Sequence, residues 1–148
     1  MERKLSLEAQ WTVSSSRHKN GIENAYLDTD NQETYWASDS SGEHFITVEF
    51  PRLVLLQRAE MLFNYEKDES YTPQKIQFQV GSTEDDLQDL FLFDVEEHTM
   101  FTDPLEGPNG WCKIRFPPKM VGVFVLRFVI KRNFLDGRDT RIRGIKLF

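Results

Sequence analysis

The chain has few of the residues that perform chemistry: one cysteine, three histidines and eight glycines in 148 positions. A single thiol excludes an internal disulfide, and Cys112 sits in an alternating stretch with Ile114 and Phe116, a strand position without the electropositive setting that activates a nucleophilic cysteine. There is no Gly-x-Ser-x-Gly elbow, no His-Glu-x-x-His, no phosphate-cradling glycine loop and no Cys/His cluster at metal spacing. Asp28-Thr29-Asp30-Asn31 begins like a calcium loop, but Gln32 and Glu33 stand where such a loop has its third ligand and its glycine. His18, His44 and His98 are scattered along the chain and read as ordinary surface or strand residues. The expectation is therefore a protein that is not an enzyme and needs no cofactor or metal. Long apolar runs are also missing, which argues against a membrane span. Met1-Glu2-Arg3-Lys4 is followed only by Leu5 and Leu7, too little for a secretory signal, and no Asn-x-Ser/Thr acceptor occurs, so an intracellular location is expected.

What is present is a single domain's worth of sequence, residues 1–148, with 39% hydrophobic residues and twelve phenylalanines. Apolar residues alternate with polar ones at the period of a half-buried strand. Ile46, Val48 and Phe50 form one such set, followed by Ala59, Met61, Phe63 and Tyr65, then Ile76, Phe78 and Val80. Phe91, Phe93 and Val95, then Cys112, Ile114 and Phe116, continue the pattern, and Ile145 with Leu147 closes it. Val123 to Ile130 is the most apolar stretch and reads as a central strand with Phe124, Leu126, Phe128 and Ile130 inward. Turn signals at Phe50-Pro51, Gly81-Ser82, Gly107-Pro108-Asn109-Gly110 and Pro117-Pro118 separate the elements. This spacing describes an all-β sandwich with short N-terminal helical or loop segments.

Charge is unevenly distributed. Met1 to Cys112 holds 8 basic and 22 acidic residues, whereas Lys113 to Phe148 holds 10 basic and 2 acidic, although the whole chain carries −6. Such a segment could draw an acidic partner or pair with its own acidic neighbour. Nucleic acid is not expected, because the phenylalanines alternate as core residues do and are not interleaved with the basic ones.

Three stretches do not alternate, and loops gathered at one end of a sandwich are where ligands are met. The first runs from Trp11 to Ser16, through Asn20 to Asp28, to Glu33-Thr34-Tyr35-Trp36-Ala37-Ser38-Asp39; the second is Asn64 to Pro73; the third is Asn133 to Arg143. Asp68-Glu69-Ser70-Tyr71-Thr72-Pro73 with Lys75-Ile76, Gly81, Gly110-Trp111, and Gly137-Arg138-Asp139-Thr140 with Arg143 and Ile145-Lys146 complete a pattern whose order and spacing resemble the Doc domain. That domain is a jelly-roll β-sandwich of the galactose-binding type, and it forms the small substrate-recognition subunit of the anaphase-promoting complex, a ubiquitin ligase.

The resemblance implies a non-catalytic subunit, found in nucleus and cytoplasm during cell division. With a WD40 co-activator it would form a shared receptor for the destruction box of mitotic substrates and favour processive ubiquitination. Asp68, Glu69, Ser70, Tyr71, Asn133, Asp136, Gly137, Arg138, Asp139 and Thr140 are the expected degron-binding residues, with Asn133, Asp136 and Thr140 foremost because no core role is evident for them. Tyr35, Trp36, Ser38, Asp39, Arg141 and Arg143 are expected to support the loops or line the rim. Trp36 and Trp111 read as core anchors, Gly137 as a conformational glycine, and Arg138 with Asp139 either as contacts or as a buried bidentate pair. Phe134-Leu135-Asp136 departs from a stretch usually more polar, and Arg141 stands where histidine is frequent. Many stand-alone relatives end in an Ile-Arg tail that docks on a repeat subunit, whereas this chain stops at Lys146-Leu147-Phe148; anchoring by the sandwich surface, with the basic C-terminal third toward an acidic partner, is the expectation. The other reading of the same architecture is a carbohydrate-binding module.

Overall fold

Period-two alternation decides which face of each strand is buried, and the strands pair so that those faces meet. The computed structural model describes residues 4–27, 31–98 and 108–148; the calcium-like Asp28 to Asp30, Gly107 and the side chain of His98 lie outside the described residues. In chain order the strands are β1 Gln10–Val13, β2 Trp36–Ala37, β3 His44–Leu56, β4 Arg58–Asn64, β5 Pro73–Gly81, β6 Gln88–Asp94, β7 Asn109–Arg115, β8 Val121–Asn133, β9 Arg141–Ile142 and β10 Gly144–Leu147. They form a five-stranded sheet ordered β1-β3-β8-β5-β6, a three-stranded sheet ordered β10-β4-β7 and a small β2-β9 pair, all antiparallel. The fold is a jelly-roll β-sandwich. The helices are single turns, such as Glu23–Tyr26 and Tyr65–Asp68, and no helix among the described residues is long and apolar enough to cross a membrane.

The core lies between the two larger sheets. Ile46, Val48, Ile76, Phe78, Leu126 and Phe128 from one face Ala59, Met61, Phe63, Ile114, Ile145 and Leu147 from the other. Phe78 is at its centre, edge-on to Phe128 at 5.2 Å and to Phe116 at 5.7 Å, and stacked on Phe91 at 4.7 Å. The apolar stretch at Val123 to Ile130 is indeed the middle strand of its sheet.

Two inward assignments are corrected. Phe124 points outward, 41% exposed, while Val123 is in the core. The β3–β8 ladder shifts register between Glu49 and Val54, around Pro51, so the phase that holds from Ile130 back to Leu126 reverses before Val123. Trp111 is no core anchor: it stands opposite Leu62 on the outer face of the smaller sheet, 37% exposed, as the inward setting of Cys112 and Ile114 requires.

The register brings Asn64 opposite Asn109, Leu62 opposite Gly144, Asn133 opposite Pro73 and Ile130 opposite His44. One end of the sandwich therefore collects the loops before β3, between β4 and β5, and after β8. Replacing Phe78 by alanine is expected to cost about 3–5 kcal/mol of unfolding free energy. Phe124→Ala, on the outer face, is expected to change it by no more than about 0.5 kcal/mol; urea denaturation of the two variants measures both.

Candidate binding rim

A buried ion pair ties the loop end together. Asp68 closes the single turn after β4, whose start is capped by Asn64 Oδ1 accepting from the Lys67 amide. Arg143, between β9 and β10, donates from Nε to Asp68 Oδ2 at 2.9 Å and from Nη2 to Oδ1 at 2.7 Å, a bidentate fork between side chains that are 5% and 2% exposed. The hydrogen bond to Asp68 holds the Arg143 guanidinium above the usual arginine range. Its Nη1 donates to the carbonyl of Gln32, which brings in the loop before β2. Arg141 adds a second cation, 3.6 Å from Asp68 Oδ1, with its guanidinium 4.1 Å from the ring centre of Tyr71 and 5.0 Å from that of Tyr35.

On that hub the loop after β8 is folded by its own side chains. Asn133 Nδ2 donates to the carbonyls of Gly137 (3.1 Å) and Asp139 (2.9 Å). The Phe134 amide donates to Thr72 O, and the Gly137 amide closes a turn on Phe134 O at 3.2 Å. Leu135 and Asp136, the two central residues, are both left-handed (φ 57° and 54°), the geometry of a type I′ turn that normally takes Asn or Gly there. Gly137 is extended, and a side chain is excluded for a different reason: a Cβ would sit 1.8 Å from the Ser70 carbonyl oxygen. Ser38 Oγ accepts from the Thr140 amide (2.9 Å) and donates to Asp139 Oδ1 (3.1 Å), while Thr140 Oγ1 donates to Tyr71 O. His44 Nε2 donates to Arg138 O at 2.6 Å and lies 3.8 Å from Asp139 Oδ1.

The tips around Ser70 and Asp136 thus meet on one rim. A shallow cleft of ≈ 520 Å³ opens there, lined by Asp39, Ser40 and Ser41 from one loop and by Ser70, Tyr71, Arg138 and Asp139 from the other two. It offers carboxylates, hydroxyls and one guanidinium to a polar ligand. Among the described residues no group of three His, Cys, Asp or Glu is arranged to hold a metal ion.

The family model "Anaphase-promoting complex, subunit 10 (APC10)" matches residues 1–148. The chain is 34% identical to anaphase-promoting complex subunit 10 of Dictyostelium discoideum over 97% of its own length and 71% of the relative's. It is 31% identical to the Homo sapiens subunit 10 over 99% and 74%. The chain belongs to the anaphase-promoting complex subunit 10 family. Among solved structures it is similar to a CBM32 module from a family 31 glycoside hydrolase of Clostridium perfringens (TM-score 0.76, 13% identity, 97% of this chain and 92% of the other). It also resembles the CBM32 module of Clostridium perfringens NanJ solved with galactose (TM-score 0.71, 10% identity, 96% and 94%). At such identities the likeness is one of fold alone.

Within this subunit 10 fold the expected site residues divide into two sets. Glu69, Asp136, Arg138 and Asp39 are exposed, and Ser70, Tyr71 and Asp139 are half-buried along the cleft. Asp68, Asn133 and Thr140 are buried, with Asp68 taken by Arg143 and the other two bonded to loop backbone, so the expectation that Asn133 and Thr140 have no packing role is corrected. Trp36 and Ser38 are fully buried supports, and Tyr35, Arg141 and Arg143 belong to the ion-pair hub. The buried bidentate pair is Asp68 with Arg143, not Arg138 with Asp139; Asp136 instead pairs with Arg132 at 2.9 Å. His44 is a loop support that the sequence does not announce, since a lone histidine opening a strand gives no signal for it. Away from the rim, burial pushes the Cys112 thiol up to about 11.

Two outcomes follow. Asp68→Asn strands a buried guanidinium and is expected to destabilise the chain by about 3–5 kcal/mol, with amide exchange accelerating first at 133–143. Because the folded thiol is held protonated above its ordinary value of 9.0, the Cys112 contribution to stability is complete below pH 9 and declines as pH rises toward about 11. Native protein at pH 8 should leave Cys112 unlabelled by a disulfide reagent that modifies it fully in denaturant.

Proposed function

We propose that this chain is a non-catalytic substrate-recognition subunit of an anaphase-promoting complex, acting in the nucleus and cytoplasm during cell division. Its rim and a WD40 co-activator would together hold the destruction box of a substrate. The observation that carries this reading is the meeting of the Ser70 and Asp136 tips, close enough that residue 137 has room for no side chain. An extended peptide presents backbone amides, carbonyls and small polar groups, and the cleft answers with Asp39, Ser70, Arg138 and Asp139.

Each such hydrogen bond is worth roughly 0.5–1.5 kcal/mol net, so the rim alone is a weak site. Weakness fits a receptor shared with a tethered neighbour, where two modest contacts multiply through effective concentration. Subunit 10 membership supports assembly into the complex, and in this reading ubiquitin transfer falls to other subunits. The carbohydrate-binding reading has less support: Trp36 is buried, and the Tyr35 and Tyr71 rings already carry the Arg141 guanidinium, so none of these three aromatics offers an open platform for a sugar.

Ser70→Ala, Asp136→Asn and Arg138→Ala together remove a hydroxyl and two charges that reach solvent, keep at 136 a residue that tolerates its left-handed backbone, and leave Asp68, Asn133 and Thr140 in place. With co-activator present, this variant is expected to bind a destruction-box peptide at least about tenfold more weakly and to shorten the ubiquitin chains added per encounter. Its unfolding free energy should fall by no more than about 1.5 kcal/mol, since each exposed substitution shifts stability by only about 0.5 kcal/mol. Undiminished processivity would remove the site.

A further inference from the structure

The outer face of the three-stranded sheet is a second, differently built surface. Its register sets three rows across the strands: Gly144, Leu62 and Trp111; Lys146, Glu60 and Lys113; then Arg58 beside Arg115 at the end where Phe148 follows β10. Glu60 is the one carboxylate of these rows, and Arg58 holds it at 2.6 Å. Lys113 and Arg115 are exposed and have no ion-pair partner among the described residues. Trp111 lies against the sheet where Gly144 makes room, since a Cβ there would come 2.7 Å from the indole Cη2. The Lys146 ammonium stands 4.3 Å from the indole centre.

This face does not consist of the basic C-terminal third as a whole. Arg141 and Arg143 are drawn into the Asp68 hub, Arg132 and Lys131 pair with Asp136 and Glu43, and Arg127 lies over Phe45 with its Nε on Thr47. What reaches solvent together is the line Trp111, Lys113, Arg115 along β7, an edge strand of its sheet. Alternate residues of a strand are about 6.8 Å apart. A second extended chain laid along that line places its own alternate side chains at the same interval.

We propose that this face docks an extended acidic protein segment, with an apolar side chain against Trp111 and two carboxylates at two-residue spacing over Lys113 and Arg115. Charge complementarity selects the occupant: on a chain of net charge −6, a basic line is the place where an acidic segment is drawn and not repelled. A polyphosphate backbone is disfavoured by Glu60 in the middle of the face and by the same overall negative charge. The face runs along the side of the sandwich, so a segment bound to it leaves the cleft at Ser70 and Arg138 open. This inference does not depend on what the rim binds.

Tryptophan fluorescence of the full chain reads the surface directly, because Trp11 and Trp36 are 8% and 0% exposed and acrylamide reaches only Trp111 appreciably. A tryptophan-free peptide with leucine at one position and glutamate two and four residues further on, separated by serines so that all three share one face when extended, is expected to protect the fluorescence from quenching at low salt, and to lose hold as salt rises. Lys113→Glu with Arg115→Glu should weaken that binding at least about tenfold, and Lys113→Gln with Arg115→Gln should weaken it less. Lys119→Glu with Lys131→Glu, the same change of net charge elsewhere, should leave it intact. Equal loss in that control, quenching unaltered by the peptide, or tighter binding of a single-stranded oligonucleotide than of the peptide would each overturn the proposal.

Discussion

The loop end of this molecule depends on one carboxylate. Asp68 is 2% exposed and meets two guanidinium groups, one through a bidentate fork and one at 3.6 Å, and the cations themselves lie on Tyr35 and Tyr71. Three segments that are remote in sequence converge there because each has brought a group that cannot be left buried alone. A buried pair of this kind adds little over an apolar substitute of the same volume, but losing one partner is severe. Its value is directional. Apolar packing would let the loops slide, whereas a planar fork fixes both the angle and the distance between the turn after β4 and the approach to β10.

The rim illustrates why polar loop residues are poor guides to contact. A loop folded back on a sandwich exposes its own amides and carbonyls to the protein interior, and these must be satisfied as surely as those of a strand. Asn133 and Thr140 satisfy the backbone of residues 137, 139 and 71, and Ser38 serves residue 140 from across the gap. The side chains left over for a ligand are Asp39, Ser70 and Arg138 in the cleft, with the exposed Asp136 outside its lining, none of which holds loop backbone in place. The left-handed pair Leu135 and Asp136 is kept in a conformation that neither residue favours, and the Phe134 and Gly137 contacts on both sides enforce it.

Much of this is legible in the sequence, and the failures have physical causes. Alternation places Ile46, Val48, Phe78, Phe128, Ile114 and Leu147 inward because a regular ladder leaves no other choice. It fails at Phe124, where the ladder slips near Pro51 on a different strand, a long-range event that local periodicity cannot register. At Trp111 parity and bulk point in opposite directions: the size of an indole argues for the core, and alternation with the inward Cys112 and Ile114 decides otherwise. The motif residues of the rim are all recognisable in the chain, but a motif does not say which members face inward. Asp68 and Arg143 are 75 positions apart, and their pairing becomes visible only when β4 and β10 lie side by side.

The lopsided charge of the chain finds its explanation in the same topology. β10 and β7 flank β4, and β8 lies between β3 and β5, so the basic C-terminal third is threaded through the acidic part and not appended to it. Arg141 and Arg143 meet Asp68, and Lys131 meets Glu43, which binds late strands to early ones without adding a large exposed patch. A segment of net charge +8 would be a nucleic-acid footprint if it stood alone on a surface. Interleaved, it reduces to a hub at the rim and a short line of cations on β7. The two are kept apart by strand parity and pairing: odd-numbered positions 111, 113 and 115 face outward while 112 and 114 enter the core, and Arg141 on β9 and Arg143 before β10 turn to the buried Asp68. One alternation rule thus separates a surface suited to docking from a rim suited to reading a ligand.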